Sequence, residues 1–193
     1  MKANEVKLAD LLNGTVQYRV PLFQRRYSWG QVEWDQLWKD LSELYGSDDS
    51  ESHFIGAVVT APVADAPERA AKYLLIDGQQ RLTTILVMLK ALGDVARGAA
   101  DDFVVEQIDR HLRNHTKLAE ERAKLQPTQD DRAGFEAVLA GKEGDTRFHQ
   151  AYRRFRERYG EGDEQGQPFD LGRLVTAVLS RLELVSVRLE AND

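Results

Sequence analysis

The segment over residues 72–95 constrains the fold of this chain more than any other. Residues 72–76 form a short apolar run typical of a buried strand, and Gly78 follows it closely. From about residue 79 to residue 95, apolar side chains recur at helical spacing and define one face, formed by Leu82, Ile85, Leu86, Leu89 and Leu92. A strand that passes through a glycine into a long helix predicts a sheet with helices packed against it.

The rest of the chain also divides into short strands and helices. Apolar patterns predict strands over residues 16–20, 54–61 and 184–189, and a turn or hairpin over residues 62–71. Helical spacing predicts helices over residues 6–12, from about residue 31, and over residues 101–114, 131–139, 147–159 and 171–182. The expected fold class is α+β, a small mixed sheet with helices followed by a mostly helical extension.

The composition limits the classes of function. The formal net charge is −6, so any nucleic-acid contact must come from a local patch. The chain has no cysteine, which excludes disulfides, thiolate metal sites and a cysteine nucleophile. The first ten residues are charged, unlike a signal peptide, and the apolar stretches are too short to cross a bilayer. A cytoplasmic protein with no membrane partner is therefore the default expectation.

The Asp-Gly-Gln-Gln-Arg motif over residues 77–81 has the composition of a phosphate site. A glycine lets the backbone approach a ligand, and a helix start offers unpaired N–H groups at the positive end of the helix dipole. Asp77 is a candidate Mg²⁺ ligand, Gln79 and Gln80 are candidates to position a water, and Arg81 is a candidate to bind phosphate. In the alternative, Asp77 caps the helix and Arg81 pairs with a surface acid. The pattern alone leaves both interpretations open.

A second motif, Pro-Leu-Phe-Gln-Arg-Arg-Tyr-Ser-Trp, occupies residues 21–29. Residues 15–30 contain three arginines and no acid, within an acidic protein. Arginine, glutamine and tyrosine side chains in one loop can bind phosphates and stack on bases. In the alternative, the arginines form salt bridges with Asp35 or Asp40 on the following helix.

Taken in order along the chain, these motifs resemble one known family. In order, they are the loop over residues 21–29, Trp34 and Asp40, Phe-Ile-Gly over residues 54–56, and the motif extended by Leu-Thr-Thr over residues 77–84. Together they are similar to the amino-terminal domain of GmrSD- and SspE-type modification-dependent restriction proteins. The resemblance is strong over residues 5–95 and weaker in the helical remainder.

The resemblance implies a fold and a domain organisation. It implies a ParB- and sulfiredoxin-like core that engages nucleotide and DNA over residues 1–98, and a helical extension over residues 99–183. A closing strand over residues 184–193 would then belong to a longer chain that carries a carboxy-terminal HNH nuclease domain. No nuclease activity is expected from the sequence itself, because its four histidines form no such arrangement.

The resemblance also implies roles for the two motifs. In ParB proteins a proline- and arginine-containing loop and a Gly-x-x-Arg helix start flank a nucleotide, so Gln24, Arg25 and Gly78 are the implied nucleotide-binding residues. The motif is associated in this family with hydrolysis of a nucleoside triphosphate, often GTP. The implied catalytic residues are Asp77, Gln79, Gln80 and Arg81, with Mg²⁺ held by Asp77.

Family members of this type sense DNA modification, which is backbone phosphorothioate in the SspE branch and glucosylated hydroxymethylcytosine in the GmrSD branch. We expect phosphorothioate, because sulfur is softer and less hydrated than oxygen and suits apolar side chains beside a cation. The expected DNA-binding residues are Leu22, Phe23, Arg25, Arg26 and Tyr27. The expected function is an NTPase and modified-DNA-sensing domain of an antiphage restriction protein, and the alternative is a nucleotide- or DNA-binding regulatory module without turnover. The oligomeric state stays open.

Overall fold

The fold is seen in a computed structural model that describes residues 2–63 and 70–190. The described residues form a mixed sheet packed against helices, which confirms the α+β class. The six strands are β1 Lys2–Lys7, β2 Val16–Arg19, β3 His53–Pro62, β4 Ala71–Asp77, β5 Leu125–Gln126 and β6 Leu182–Arg188. The seven α-helices are α1 Leu8–Leu11, α2 Gln31–Gly46, α3 Gln79–Gly98, α4 Asp102–Leu112, α5 Gln129–Leu139, α6 Arg147–Glu161 and α7 Leu171–Thr176.

The sheet has the strand order β1-β6-β3-β4-β2-β5. The pairs β3–β6, β2–β4 and β2–β5 are parallel, whereas β1–β6 and β3–β4 are antiparallel. β4 therefore lies in the middle of the sheet, and its carboxyl end leads directly into α3. The ParB- and sulfiredoxin-like topology stays a prediction.

The amino-terminal end of the described chain differs from the sequence prediction, whereas the strand predicted near the carboxy-terminal end is confirmed. Residues 2–7 form a strand and the first helix covers only Leu8–Leu11, where a helix was expected over residues 6–12. The strand expected over residues 184–189 is β6, which lies between β1 and β3 and is thus an interior strand of the sheet. The turn expected over residues 62–71 falls mostly outside the described residues, between the end of β3 and the start of β4.

The helical part of the chain is joined to the sheet by pairing and by packing. β5, which precedes α5, pairs with β2, so a strand from the stretch 99–183 extends the sheet formed by the first 98 residues. α7 ends at Thr176 and continues as a π-helical turn over Ala177–Arg181 into β6. The division of the chain at residues 98 and 183 stays a prediction.

α3 is the central helix of the core. The face predicted for it is buried, and Val87, Met88 and Ala91 on its other sides are buried as well, because α4 and α6 cover the helix. α2 buries the apolar face that its spacing predicts, including Trp34 and Trp38. Within the described ranges, no helix is both long and apolar enough to span a membrane.

Candidate nucleotide-binding cleft

The structure brings the two predicted motifs together around one cleft of about 440 Å³. One wall is the end of β4 and the first turn of α3, and the other is the loop that follows β2. Eight residues line the cleft: Gln24, Arg25, Trp29, Asp77, Gly78, Gln79, Gln80 and Arg81.

Gly78 turns the chain from β4 into α3. It adopts a left-handed conformation with φ of 88°, and a Cβ atom there would lie 2.8 Å from the carbonyl oxygen of Ala57. No side chain of the described chain caps α3, so the alternative in which Asp77 is the helix cap is wrong. The first helical bond runs from the N–H of Leu82 to the Gly78 oxygen, and the N–H groups of the preceding turn make no hydrogen bond within the described chain, which leaves them free for a ligand.

Arg81 lies half-buried beside a glycine of β3. Its Nη1 donates to the carbonyl oxygen of Ala57 at 2.9 Å, and the guanidinium occupies the place that a Cβ of Gly56 would take, 2.6 Å from Nη2. Gly56 has φ of 110° and sits where the pairing of β3 with β6 shifts by one residue, a β-bulge. The bulge therefore makes the room that holds this side chain.

The charge on Arg81 is only partly balanced. Burial lowers the pKa of Arg81, while the negative charge of Asp77 opposes that shift. Among the described residues, no carboxylate lies within ion-pair distance of the guanidinium, so the alternative of a surface salt bridge is wrong for this part of the chain. A half-buried arginine beside open helix N–H groups favours an anionic ligand.

The two glutamines of the motif point to different partners. Gln80 is buried, its Nε2 donates to the Arg26 oxygen at 3.1 Å, and its Oε1 accepts from the N–H groups of Ser28 at 2.7 Å and Trp29 at 3.3 Å. Its amide is thus committed to the loop backbone, and it acts here as a structural tie between the two walls.

Gln79 is also buried, but half of its amide has no partner. Its Nε2 makes a long bond of 3.4 Å to the Arg25 oxygen, and its Oε1 has no hydrogen-bond partner within the described chain. A buried acceptor without a donor is rare and costs free energy in a protein interior. Since Gln79 lines the cleft, this buried oxygen is left without a donor beside the place where a ligand would bind.

The loop wall begins with a tight turn that presents apolar side chains to solvent. The N–H of Gln24 donates to the Pro21 oxygen at 3.1 Å, and the Gln24 side chain donates to the Ile76 oxygen at 2.8 Å. Leu22 and Phe23 are exposed at the tip of this turn, and Arg25 is exposed at the cleft. These positions suit contact with a large ligand.

Tyr27 does not face the cleft as the DNA-binding prediction requires. Its ring is buried and stacks on Phe148 at a centroid distance of 4.8 Å. Its hydroxyl bonds to Thr84 at 2.7 Å and accepts from the Trp34 indole at 2.8 Å, and burial raises its pKa to about 12. The tyrosine anchors the loop in the core.

The prediction that the loop arginines form salt bridges with Asp35 or Asp40 of α2 is also wrong. Asp35 is bound by Arg154, and Asp40 lies 3.5 Å from His53. Arg26 instead pairs with Asp130 of α5 at 2.5 Å. The loop is therefore fastened to the helical extension by this ion pair, and to α2 by the hydrogen bond between Tyr27 and Trp34.

Three structural residues of the site were not predicted from the sequence. Asp131 accepts from the Tyr27 N–H at 2.7 Å, Arg147 donates to the Ser28 oxygen at 3.0 Å, and Gly56 makes room for Arg81. A glycine inside an apolar strand indicates a bulge or a close approach, and that signal marks Gly56. The other two contacts join distant parts of the chain, and no local pattern indicates them.

Comparison with known proteins identifies the family. The family model described as the N-terminal domain of GmrSD restriction endonuclease matches residues 8–187, which include both walls of the cleft and the helical part. No curated protein matches the chain. The chain therefore belongs to the family of GmrSD restriction endonuclease N-terminal domains, and it is a module of a restriction system.

Proposed function

We propose that the cleft binds and hydrolyses a nucleoside triphosphate, with GTP as the favoured substrate. The observation that supports this most strongly is the half-buried Arg81 beside the open N–H groups of the α3 start, because this arrangement favours a phosphate. Family membership supports hydrolysis, since the motif is associated with it in restriction proteins. The preference for GTP rests on the family resemblance alone.

Each residue of the cleft has its own role in the proposed hydrolysis. Arg81 and the helix start hold the terminal phosphate and offset charge on its oxygens. The Gln79 oxygen accepts a hydrogen bond from the attacking water, which holds the water in place. The water oxygen bonds to the terminal phosphorus, the bond to the bridging oxygen breaks, and the diphosphate, inorganic phosphate and one proton leave. Gln24, Arg25 and Trp29 face the nucleotide from the loop.

Asp77 suits a Mg²⁺ ion that arrives with the nucleotide. It is exposed at the cleft, and the described residues contain no group of three acidic or histidine side chains that could hold a metal alone. Mg²⁺ commonly uses one or two carboxylates together with substrate phosphates and water, so a single carboxylate fits this mode. The ion would neutralise phosphate charge when bound.

Release of phosphate under multiple turnover tests hydrolysis. We would compare GTP, ATP, CTP and UTP, each with Mg²⁺ and with EDTA, and expect turnover with Mg²⁺ that is fastest for GTP. Asp77→Asn should weaken the Mg²⁺ dependence, whereas Asp10→Asn, at an exposed position on α1, should leave it unchanged. Tight nucleotide binding without any turnover would contradict hydrolysis and favour a regulatory binding module.

A second proposal is that the same loop senses modified DNA, with phosphorothioate as the favoured modification. Exposed Leu22 and Phe23 next to Arg25 and Arg26 supply apolar and cationic contacts for a sulfur-containing backbone. A gel shift at matched salt would compare phosphorothioate, glucosylated and plain duplexes, because ionic strength alone changes such affinities greatly. Equal affinity for all three would refute sensing, and a preference for the glucosylated duplex would favour the other branch.

A further inference from the structure

Leu22 and Phe23 are neighbouring apolar side chains that extend into solvent at the rim of the cleft. Leu22 is 82% exposed and Phe23 is 78% exposed. They are the two central residues of the turn that the Gln24 N–H closes onto the Pro21 oxygen. Pro21, which precedes them, is buried, so Leu22 and Phe23 are the exposed apolar residues of this turn. Adjacent large apolar side chains in solvent indicate a contact surface.

The turn is fixed at both ends by bonds to the sheet. On the entry side, the N–H of Val20 donates to the Gln126 oxygen at 2.9 Å. On the exit side, the Gln24 amide donates to the Ile76 oxygen at 2.8 Å. The two side chains are thus presented on a preorganised support, which lowers the entropy lost on binding.

The charges around the turn favour a polyanion as the partner. Residues 15–30 contain Arg19, Arg25 and Arg26 and no acid. Arg26 is paired with Asp130, but within the described part of the chain Arg25 has no carboxylate partner and lies exposed at the cleft. Arginine that binds backbone phosphate positions a protein on a duplex, while a protruding leucine or phenylalanine can enter between base pairs.

We propose that Leu22 and Phe23 form an apolar wedge that inserts between base pairs of duplex DNA while Arg25 binds the adjacent backbone phosphate. The wedge rests on the DNA-engaging part of the proposed function and not on nucleotide hydrolysis. It acts on base stacking, so it applies to modified and plain duplexes alike. Insertion unstacks one base step and bends the duplex toward the groove opposite the wedge.

Fluorescence of 2-aminopurine tests the wedge, because this base analogue brightens when it is unstacked. The full chain would be added to a set of duplexes that carry the analogue at successive positions. We expect brightening at one base step, lost in Phe23→Ser and reduced in Leu22→Ser. Each variant should also bind the duplex about tenfold more weakly, as for loss of one stacked base. Phe103→Ser, which removes a 67% exposed phenylalanine from α4, should match the wild type.

Three results would overturn the wedge. The first is binding of the wild type without any brightening. The second is unchanged duplex affinity in Phe23→Ser, which would assign the pair to a protein contact. The third is an affinity loss in Phe23→Ser confined to phosphorothioate duplexes, because the loss of an inserted side chain would weaken binding to plain duplexes as well. Phosphate release measured without DNA tests hydrolysis separately, so either proposal can fail alone.

Discussion

Replacing Gln80 by leucine should lower the stability of the chain. Replacing Gln79 by leucine should instead lower the rate of nucleotide hydrolysis and leave the stability nearly unchanged. Gln79 and Gln80 are adjacent on the first turn of α3, both are buried, and leucine has a similar helix propensity. The two variants are therefore matched controls for each other. They differ in how the amide is bonded: Gln80 makes three hydrogen bonds to the loop backbone, whereas Gln79 makes one long bond to it and leaves its oxygen without a partner in the described chain.

The magnitude for Gln80→Leu follows from its bonds. The substitution removes hydrogen bonds of 2.7, 3.1 and 3.3 Å to the backbone of Ser28, Arg26 and Trp29. At about 1 kcal/mol for each bond, the free energy of unfolding should fall by about 2–3 kcal/mol. For a chain of this size that corresponds to a fall in Tm of about 5–10 °C.

Gln79→Leu removes one long bond of 3.4 Å and an acceptor that has no partner in the described chain. Its free energy of unfolding should stay within about 1 kcal/mol of the wild type, because an apolar group replaces an unsatisfied polar one. The rate of nucleotide hydrolysis should fall roughly 100-fold if the attacking water is no longer held. Urea denaturation and phosphate release measure the two quantities. Greater destabilisation by Gln79→Leu than by Gln80→Leu would refute the assignment of the two amides.

Three other substitutions test the supports of the cleft and the core. Gly56→Ala should displace Arg81 and so raise the KM for nucleotide about tenfold or more. Gly98→Ala is the neutral control, because a Cβ at position 98 meets no atom within 4 Å. Tyr27→Phe should lower the free energy of unfolding by about 1–3 kcal/mol, measured in urea, since a buried indole N–H loses its acceptor; an unchanged stability would contradict the bond. Desolvation lowers the pKa of buried Lys124 to about 8, from its ordinary value of 10.5. Between these two pH values the folded chain binds fewer protons than the unfolded chain. The free energy of unfolding should therefore rise with pH there, by at most about 3 kcal/mol. Lys124→Met should lose this rise, and an equal rise in both proteins would refute its origin.

Much of the fold could be predicted because the decisive patterns are local. The apolar face of α3, the strand before it and the glycine between them occupy one continuous segment, and the structure confirms all three. β1 was missed because its sequence, Lys-Ala-Asn-Glu-Val-Lys, is mostly polar and the strand pairs on one side only, so no apolar pattern marks it. The interior position of β6 depends on pairing with strands more than 100 residues away, which no local pattern encodes.

The residues that form the candidate site could be predicted from the sequence, but the role of each residue could not. Both motifs line the cleft, yet the same residue type is bonded differently in Gln79 and Gln80, because the Gln80 amide is fully paired with the loop backbone and the Gln79 oxygen has no partner in the described chain. Tyr27 is a similar case, since the packing of α6 against the loop decides whether its ring faces the core or the ligand. Such contacts join segments 50 to more than 100 residues apart, and they become visible only in the folded chain.

Phosphate release by Arg81→Ala is the decisive measurement for the proposed nucleotide site. Its guanidinium is held by Ala57, and no carboxylate of the described residues forms an ion pair with it. Its removal should therefore take away the positive charge proposed to face the terminal phosphate. We expect hydrolysis to fall by roughly 100-fold or more, as when one preorganised donor is deleted from an active site. Arg156→Ala, which removes an exposed arginine from α6, should hydrolyse nucleotide at the wild-type rate. Wild-type turnover in a folded Arg81→Ala variant would contradict the placement of the phosphate at the start of α3.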